Sequence, residues 1–160
     1  MMGITTKIRT SIIQDIPYIM RLAEMEFKMF ETNTAFNRDL CEKYVYSVMS
    51  DDNALGIVIV DQEDRPFGYL SGAIDYIDLT MEPTAMTHHW FVNNPKAMYG
   101  NRNYGLELLA AFEGWALTKN CKNVRIGIRM EPGRRRAYDR TFKTMGYEPN
   151  TVFYCKEIDR

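Results

Sequence analysis

Apolar residues recur at helical spacing in two stretches of the first third of the chain. The first stretch follows Asp15, a suitable N-cap, and predicts a helix that ends near Phe30. The second follows Asn37, another suitable N-cap, and ends at the polar run from Ser50 to Asn53. The segment from Ile4 to Thr10 mixes β-branched and polar residues ahead of these helices, and it therefore predicts a first strand.

Alternating β-branched runs and patterned helices fill the rest of the chain. Leu55 to Val60 and Phe67 to Ile77 predict a hairpin, because Gln62 to Pro66 between them has turn chemistry. Further strands are predicted over Thr84 to Val92, Val124 to Ile128 and Thr151 to Ile158. Two further helices are predicted, from Gly105 to about Asn120 and from Gly133 to about Met145. Gly146 follows the second of these helices at the C′ position. The order β-α-α-β-β-β-α-β-α-β predicts a mixed α/β layer arrangement.

Length and composition narrow the class of protein. The chain has 160 residues, 46% hydrophobic and 26% charged, with a net charge of −1, which predicts one globular domain over residues 1–160. Since positive and negative charges nearly cancel, neither nucleic acid nor a membrane is expected as a partner. The three cysteines lie far apart without a CxxC pair, which argues against a zinc ribbon and against a disulfide framework and favours the cytoplasm. We expect no signal peptide and no membrane-spanning segment, because no long apolar run is present.

The segment from Thr84 to Asn120 carries the strongest functional signal. An apolar strand leads into a loop with two glycines, Gly100 and Gly105, and the basic Arg102, and a patterned helix follows. The start of a helix offers backbone N–H groups and the positive end of its dipole to a phosphate. The segment predicts a phosphate site for a nucleotide cofactor, and a plain connecting loop is the alternative.

The order of elements and several local signals resemble the GNAT (GCN5-related N-acetyltransferase) superfamily over essentially the whole chain. Ile8 and Arg9 before the first helix, the hairpin from Gly56 to Gly72, and Met145 to Tyr147 after the last helix carry this resemblance. It implies the GNAT, or acyl-CoA N-acyltransferase, fold, in which helices cover both faces of a mixed, mostly antiparallel sheet. It also implies acetyl-CoA as acyl donor, with no metal.

The resemblance further implies where acetyl-CoA binds. The family loop reads Arg/Gln-x-x-Gly-x-Gly/Ala, and here Gly100 stands at the basic position while Asn103 stands at the middle glycine, where we expect a left-handed backbone. Arg102 is expected near the pyrophosphate or the 3′-phosphate. The implied cofactor-binding residues are Gly100, Asn101, Arg102, Asn103, Tyr104 and Gly105, together with the backbone of Phe91 and Val92, where the fourth strand separates from the fifth.

Acetyl transfer to an amine requires a base, because an ammonium group has no lone pair. The two histidines of the chain, His88 and His89, lie together on the fourth strand. Strand side chains alternate, so we expect the two imidazoles on opposite faces and at most one of them in the reaction. We favour His89; structural roles for both histidines, or Glu82 as the base, are the alternatives.

The proton donor for the departing thiolate is less clearly marked. The position of the tyrosine that often serves in the family is occupied here by Phe142. Tyr138 lies one turn earlier on the same predicted helical face and is either the acid or a packing residue. The basic run from Gly133 to Arg136 either meets the CoA 3′-phosphate or an acidic acceptor, or is a solvated helix start.

The resulting prediction is an acetyl-CoA-dependent N-acetyltransferase that acetylates a primary amine by direct attack on the thioester. The acceptor is an unidentified small molecule or protein, and the sequence is compatible with a homodimer. The first helix, rich in Met and Phe, lies in the region that forms the acceptor wall in the family, although the same residues suit a core. The altered loop and Phe142 support a second hypothesis, a non-catalytic GNAT-fold binding or structural protein such as a phage component.

Overall fold

A five-stranded sheet is the centre of the structure, a computed structural model that describes residues 6–30, 34–76, 81–93, 103–128 and 135–149. Its strands, in spatial and chain order, are β1 Lys7–Thr10, β2 Ala54–Val60, β3 Pro66–Asp75, β4 Thr84–Val92 and β5 Asn123–Arg125. Neighbouring strands are antiparallel except β4 and β5, which are parallel. The predicted mixed, mostly antiparallel sheet is confirmed.

Helices cover both faces of this sheet, as predicted. The helices α1 Ile16–Phe30 and α2 Arg38–Ser50 pack on one face, and α3 Tyr104–Thr118 packs on the other. The chain divides into two units, Met1–Ile128 and Arg129–Arg160, and the helix α4 Arg135–Thr144 lies in the second. The single domain over residues 1–160 stays a prediction.

Apolar burial on both faces holds the first unit together. Under α3, the side chains of Leu108, Leu109 and Phe112 are fully buried. Each such side chain contributes roughly 1.5–3 kcal/mol relative to an exposed position. Under α1 and α2 the core consists of Ile16, Ile19, Met20, Leu22, Val45, Val58, Val60 and Tyr69.

The start of α1 differs from the prediction. Asp15 is not the N-cap of this helix, because it ends a short 3-10 turn, Ile13–Asp15, that precedes it. Its side chain, 4% exposed, accepts hydrogen bonds from the Ile12 amide (2.9 Å) and from both terminal nitrogens of Arg9 (2.6 and 3.0 Å). The hydrogen bond to Asp15 raises the pKa of Arg9, so the buried carboxylate is paired with a permanent cation.

Two asparagines cap helices. Asn37 accepts a hydrogen bond from the Leu40 amide (3.0 Å), which confirms the predicted start of α2. Asn103 caps α3 in the same way, through the Leu106 amide (3.3 Å). Its backbone is extended, with φ −100° and ψ 90°, so the left-handed conformation expected at Asn103 was wrong. The capping geometry requires an extended residue, because the side chain must turn back onto the first helical turn.

The C-terminal elements are partly described. The strand β5 is shorter than predicted, because pairing with β4 ends at Arg125. Gly146, with φ +85°, follows α4 at the predicted C′ position, and its amide donates to the Lys143 carbonyl while the Tyr147 amide donates to Phe142. The predicted last strand, Thr151 to Ile158, lies outside the described residues.

Candidate active site

The edge of β4 is open along most of its length within the described residues. This strand pairs with β5 only from Thr84 to Met86, opposite Asn123 to Arg125. From Met86 to Val92 the strand continues for about 20 Å at the usual rise per residue. After β5 the chain still contacts β4 at Thr87, whose hydroxyl accepts a hydrogen bond from the Gly127 amide at 3.3 Å. Beyond this point no strand of the described ranges pairs with the outer edge of β4, and we call this open side of β4 the gap.

A β-bulge lies in β4 beside this gap. Ser71 of β3 pairs with His89, whereas the next residue, Gly72, pairs with Thr87, so His88 is the extra residue. The bulge interrupts the alternation of side chains, and both imidazoles lie against Tyr44 of α2, at ring-centroid distances of 6.2 Å (His88) and 5.0 Å (His89). The prediction that the two histidines point to opposite faces was therefore wrong.

His88 belongs to a hydrogen-bonded chain that ends in the sheet. Its Nδ1 atom lies 3.1 Å from the Tyr44 hydroxyl, which lies 3.0 Å from the Ser71 hydroxyl. Burial raises the pKa of Tyr44, although the hydrogen bond with Ser71 lowers it by a smaller amount. The Tyr44 phenol is thus neutral at physiological pH and has one proton to donate.

His89 belongs to a second group that contains a carboxylate. Its Nδ1 atom lies 3.9 Å from Glu26 Oε2, and the same oxygen accepts a hydrogen bond of 2.6 Å from the Tyr69 hydroxyl. Burial raises the pKa of Tyr69, and the Glu26 charge raises it further. Tyr69 therefore keeps its proton and fixes the carboxylate beside an imidazole that is 46% exposed.

A small cavity lies below His89, between the helices and the sheet. Its volume is about 40 Å³, and its lining includes Ala23, Cys41, Tyr44 and Ser71. This space holds a few water molecules at most. The cavity is too small for a substrate-sized molecule.

The start of α3 lies close to β4. A methyl group at Gly105 would come within 3.2 Å of the Trp90 ring, so glycine allows the first helical turn to approach the strand. Tyr104 is buried, and its ring packs edge-on against Phe67. The predicted residues Gly100, Asn101 and Arg102 lie outside the described residues.

The backbone at the end of β4 refines the second part of the predicted donor site. The Asn93 amide donates to the Phe67 carbonyl of β3 at 2.8 Å. Because successive amides of a strand point in opposite directions, the Val92 amide points away from β3. The Phe91 amide points back to β3, so of the two residues only Val92 directs its amide to the gap.

The remaining predicted residues lie elsewhere. Glu82 forms an exposed ion pair with Lys122 at 3.1 Å and lies about 15 Å or more along the strand from His89. In the second unit, Tyr138 stacks on Phe142 at 6.3 Å, which confirms that they share a helical face, and its role as acid stays a prediction. Arg135, from the predicted basic run, lies 3.9 Å from Asp139.

The groups that partner the histidines were not predicted from the sequence. Glu26 lies on the face of α1 that otherwise buries Ile19 and Leu22, and a charged residue on an apolar face was the available signal. Tyr69 and Ser71 share one face of the otherwise apolar β3, which was a second signal. Nothing local marked the bulge that joins these groups to both histidines.

Solved structures with the same fold are similar over nearly the whole chain. An aminoglycoside N-acetyltransferase, AAC(6')-Iy, in complex with CoA has a TM-score of 0.73 at 17% identity, with 98% of this chain and 97% of that chain covered. A glucosamine-6-phosphate N-acetyltransferase from Arabidopsis thaliana has a TM-score of 0.70 at 12% identity, covering 97% and 99%. A GNAT family acetyltransferase from Staphylococcus aureus has a TM-score of 0.65 at 14% identity, covering 96% and 99%.

These similarities define the class of fold. The chain has the GNAT acetyltransferase fold, as the sequence resemblance implied, with a sequence that has diverged from these structures. No protein-family model and no curated protein matches the sequence. Across the described ranges, no helix is long and apolar enough to cross a membrane, and no three His, Cys, Asp or Glu side chains converge as metal ligands.

Proposed function

We propose that this chain is an acetyl-CoA-dependent N-acetyltransferase that acetylates a primary amine of a small molecule, with residues 1–160 as its one domain. The observation that carries the proposal is the group of Glu26, Tyr69 and His89 beside the open edge of β4. Amine acylation needs a neutral amine, which a base can supply, and a carboxylate near an imidazole base stabilises its protonated form. The similar structures include an acetyltransferase in complex with CoA, which supports the donor.

The donor site proposed for acetyl-CoA uses backbone groups. The first turn of α3 offers amides and the positive end of the helix dipole to the pyrophosphate, and Gly105 keeps this turn close to β4. The Val92 amide, directed to the gap, is a suitable donor to the pantetheine arm. These features fit the group, and Arg102 remains the proposed partner of a phosphate.

The proposed base is His89. Its imidazole takes a proton from the substrate ammonium, and the amine nitrogen then attacks the thioester carbonyl carbon. Glu26, 3.9 Å from Nδ1, stabilises the imidazolium that forms. A general base of this kind contributes roughly 10²–10⁴-fold to the rate. We retain Tyr138 as the proposed proton donor to the departing thiolate.

Small-molecule amines are the proposed acceptor class. Two of the similar structures are, by name, an aminoglycoside N-acetyltransferase and a glucosamine-6-phosphate N-acetyltransferase. Each name denotes an amine on a sugar. The Glu26 carboxylate beside the exposed His89 suits the approach of a substrate that arrives as a cation.

The test has a binding arm and a turnover arm. Calorimetry with acetyl-CoA should detect saturable binding, and a panel of amino sugars and simple amines should release free CoA thiol. His89→Gln should lower kcat about 100-fold or more, with the KM for acetyl-CoA changed by less than about threefold. No binding at high micromolar acetyl-CoA would favour the non-catalytic hypothesis. A loss of kcat in Glu82→Gln, with His89→Gln fully active, would move the base to Glu82.

A further inference from the structure

A side chain ends the pairing between β4 and β5. The two strands are parallel partners from Thr84 to Met86, opposite Asn123 to Arg125. Two residues after β5, the Gly127 amide donates a hydrogen bond to the Thr87 hydroxyl at 3.3 Å. If the parallel ladder continued, amides of this segment would donate to backbone carbonyls of β4. Because a side-chain hydroxyl accepts instead, the ladder does not continue past Arg125.

The Thr87 hydroxyl is a fixed acceptor. Thr87 is 2% exposed, and its backbone pairs with Gly72 of β3. Branching at Cβ restricts the rotamers of a buried threonine, so its hydroxyl has a defined direction. Within the described part of the chain, the Gly127 amide is the hydroxyl's only hydrogen-bond partner. Thr87 therefore holds the chain after β5 at one place beside β4.

The gap begins at the same place. The next residue, His88, is the extra residue of the bulge, and from there to Val92 no strand among the described residues pairs with the outer edge of β4. An open strand edge is a template for pairing with a neighbouring chain. The chain after β5 passes close to this edge, since a methyl group at Gly127 would lie 3.9 Å from the Thr87 carbonyl oxygen. The Thr87 hydroxyl thus holds a segment that would otherwise be free to move along the open edge.

We propose that Thr87 is a positioning residue for the donor site, whose hydroxyl holds the chain after β5 off the open edge of β4 and so keeps the gap accessible to the pantetheine arm of acetyl-CoA. Thr87 is buried, and it acts through Gly127 rather than by touching the cofactor. The inference rests on the proposed N-acetyltransferase function for the ligand. For the role of the hydroxyl it rests on the hydrogen bond and the strand pairing alone.

Two substitutions separate the hydroxyl from the shape of the side chain. Thr87→Val keeps the branched shape and removes the acceptor, whereas Thr87→Ser keeps the acceptor and removes the methyl group. Thr84→Val is the matched control, because it makes the same chemical change in the same strand at a residue that is 4% exposed. Thr84 pairs with β5 through its backbone, which this substitution leaves in place.

The hydrogen bond can be measured without any ligand. The chain has ten glycines, so NMR of protein labelled with ¹⁵N-glycine reports few backbone amides, and Gly127→Ala assigns the signal of Gly127. In Thr87→Val this amide should exchange with solvent about threefold or more faster, because it loses its acceptor. The rate should stay as in the wild-type protein for Thr87→Ser and Thr84→Val, and the Gly114 amide of α3 controls for a general loss of stability. An unchanged rate in Thr87→Val would overturn the proposal, as would an unprotected Gly127 amide in the wild-type protein if that variant does not fold.

Binding measurements connect the hydrogen bond to the donor site. In calorimetry with acetyl-CoA, Thr87→Val should have a Kd about fivefold or more above that of the wild-type protein, because binding must then also order the chain beside the gap. The Kd should stay within about twofold of the wild-type value for Thr87→Ser and for Thr84→Val. An unchanged Kd in Thr87→Val, or an equal loss of affinity in Thr87→Ser, would overturn the positioning role of the hydroxyl.

Kinetics distinguish this role from a general disturbance of the fold. With an amine that the wild-type protein acetylates, Thr87→Val should raise the KM for acetyl-CoA about fivefold or more and change the KM for the amine by less than about twofold. An equal rise in both KM values would overturn the proposal. If the wild-type protein binds no acetyl-CoA, the proposed function fails, while the exchange rates still decide whether Thr87 holds Gly127.

Discussion

At the scale of single residues, one extra position in β4 decides the chemistry of the site. Without the bulge, His88 and His89 would lie on opposite faces, and Tyr44 would contact one of them at most. With the bulge, both rings lie on the face covered by α1 and α2. The insertion therefore converts a pair of unrelated side chains into neighbours with separate partners.

Two glycines should respond in opposite ways to the same substitution. At Gly72, opposite Thr87 beside the bulge, a methyl group would clash with the Met86 carbonyl oxygen and come within 2.6 Å of the Phe112 ring. Gly72→Ala should therefore lower the free energy of unfolding by about 1–3 kcal/mol. At the exposed Gly114 of α3, a methyl group would meet no atom within 4 Å, and Gly114→Ala should raise stability by about 0.5–1 kcal/mol.

Urea denaturation of the two variants and the wild-type protein measures both effects. Equal stability of Gly72→Ala and the wild-type protein would mean that β4 and α3 do not approach β3 as closely as described. Destabilisation by Gly114→Ala would contradict the exposed helical position of this residue. Since the chemical change is the same in both variants, the difference between them reports the surroundings alone.

At the scale of elements, local chemistry explains why most boundaries were predictable. The caps Asn37 and Asn103, the C′ glycine Gly146 and the turn after Val60 all act within a few residues of the chain. The strand β4 was predicted with its observed bounds, Thr84–Val92, because its composition changes at both ends. The start of α1 was misplaced because Asp15 pairs with Arg9, a contact that depends on the position of β1.

The turn between β2 and β3 should make a contribution to stability that depends on pH. Asp61 accepts hydrogen bonds from the Glu63 and Arg65 amides at 3.0 and 2.9 Å and from the Arg65 side chain at 3.1 Å. Burial favours the neutral acid, but these bonds and the Arg65 charge outweigh it and hold the pKa of Asp61 below its usual value. The ionised Asp61 therefore stabilises the folded state at neutral pH.

The sign of the pH dependence follows from this lowered pKa. The contribution is fully present above the pKa of the unfolded chain, near 3.8, and is lost as the pH falls through the lower pKa of the folded state. Asp61→Asn should reduce the free energy of unfolding at pH 7 by up to about 1 kcal/mol. The difference in free energy of unfolding between the variant and the wild-type protein should become smaller below pH 3.8 in urea titrations. A difference in free energy of unfolding that stays constant with pH would contradict the ion pair. Asp52→Asn, in a neighbouring turn, is the control.

At the scale of the first unit, burial of one thiol should report the integrity of the fold. Cys121 follows α3, is 6% exposed, and donates its amide to the Ala116 carbonyl at 3.0 Å. Burial raises the pKa of this thiol, so both access and thiolate content are reduced. Iodoacetamide should modify native Cys121 at least about 100-fold more slowly than the unfolded chain, since opening requires most of the global unfolding free energy.

Mass spectrometry after pulses of iodoacetamide across a urea series measures this protection. Modification of Cys121 should follow the global unfolding transition, whereas the half-buried Cys41 should react earlier. Rapid modification of Cys121 without urea would indicate that the end of α3 opens independently. The comparison between two thiols of one chain controls for the reagent.

The sequence by itself determined the class of fold, the order of the elements and most of their ends, because periodicity and capping depend on neighbours along the chain. Only the tertiary structure decided the site. Glu26 meets Tyr69 across 43 residues and Tyr44 meets His88 across 44, and both contacts depend on how α1 and α2 pack and on the register of β3 with β4. A shift of one residue in that register changes the face of a side chain, and no local pattern in this chain marked where the shift occurs.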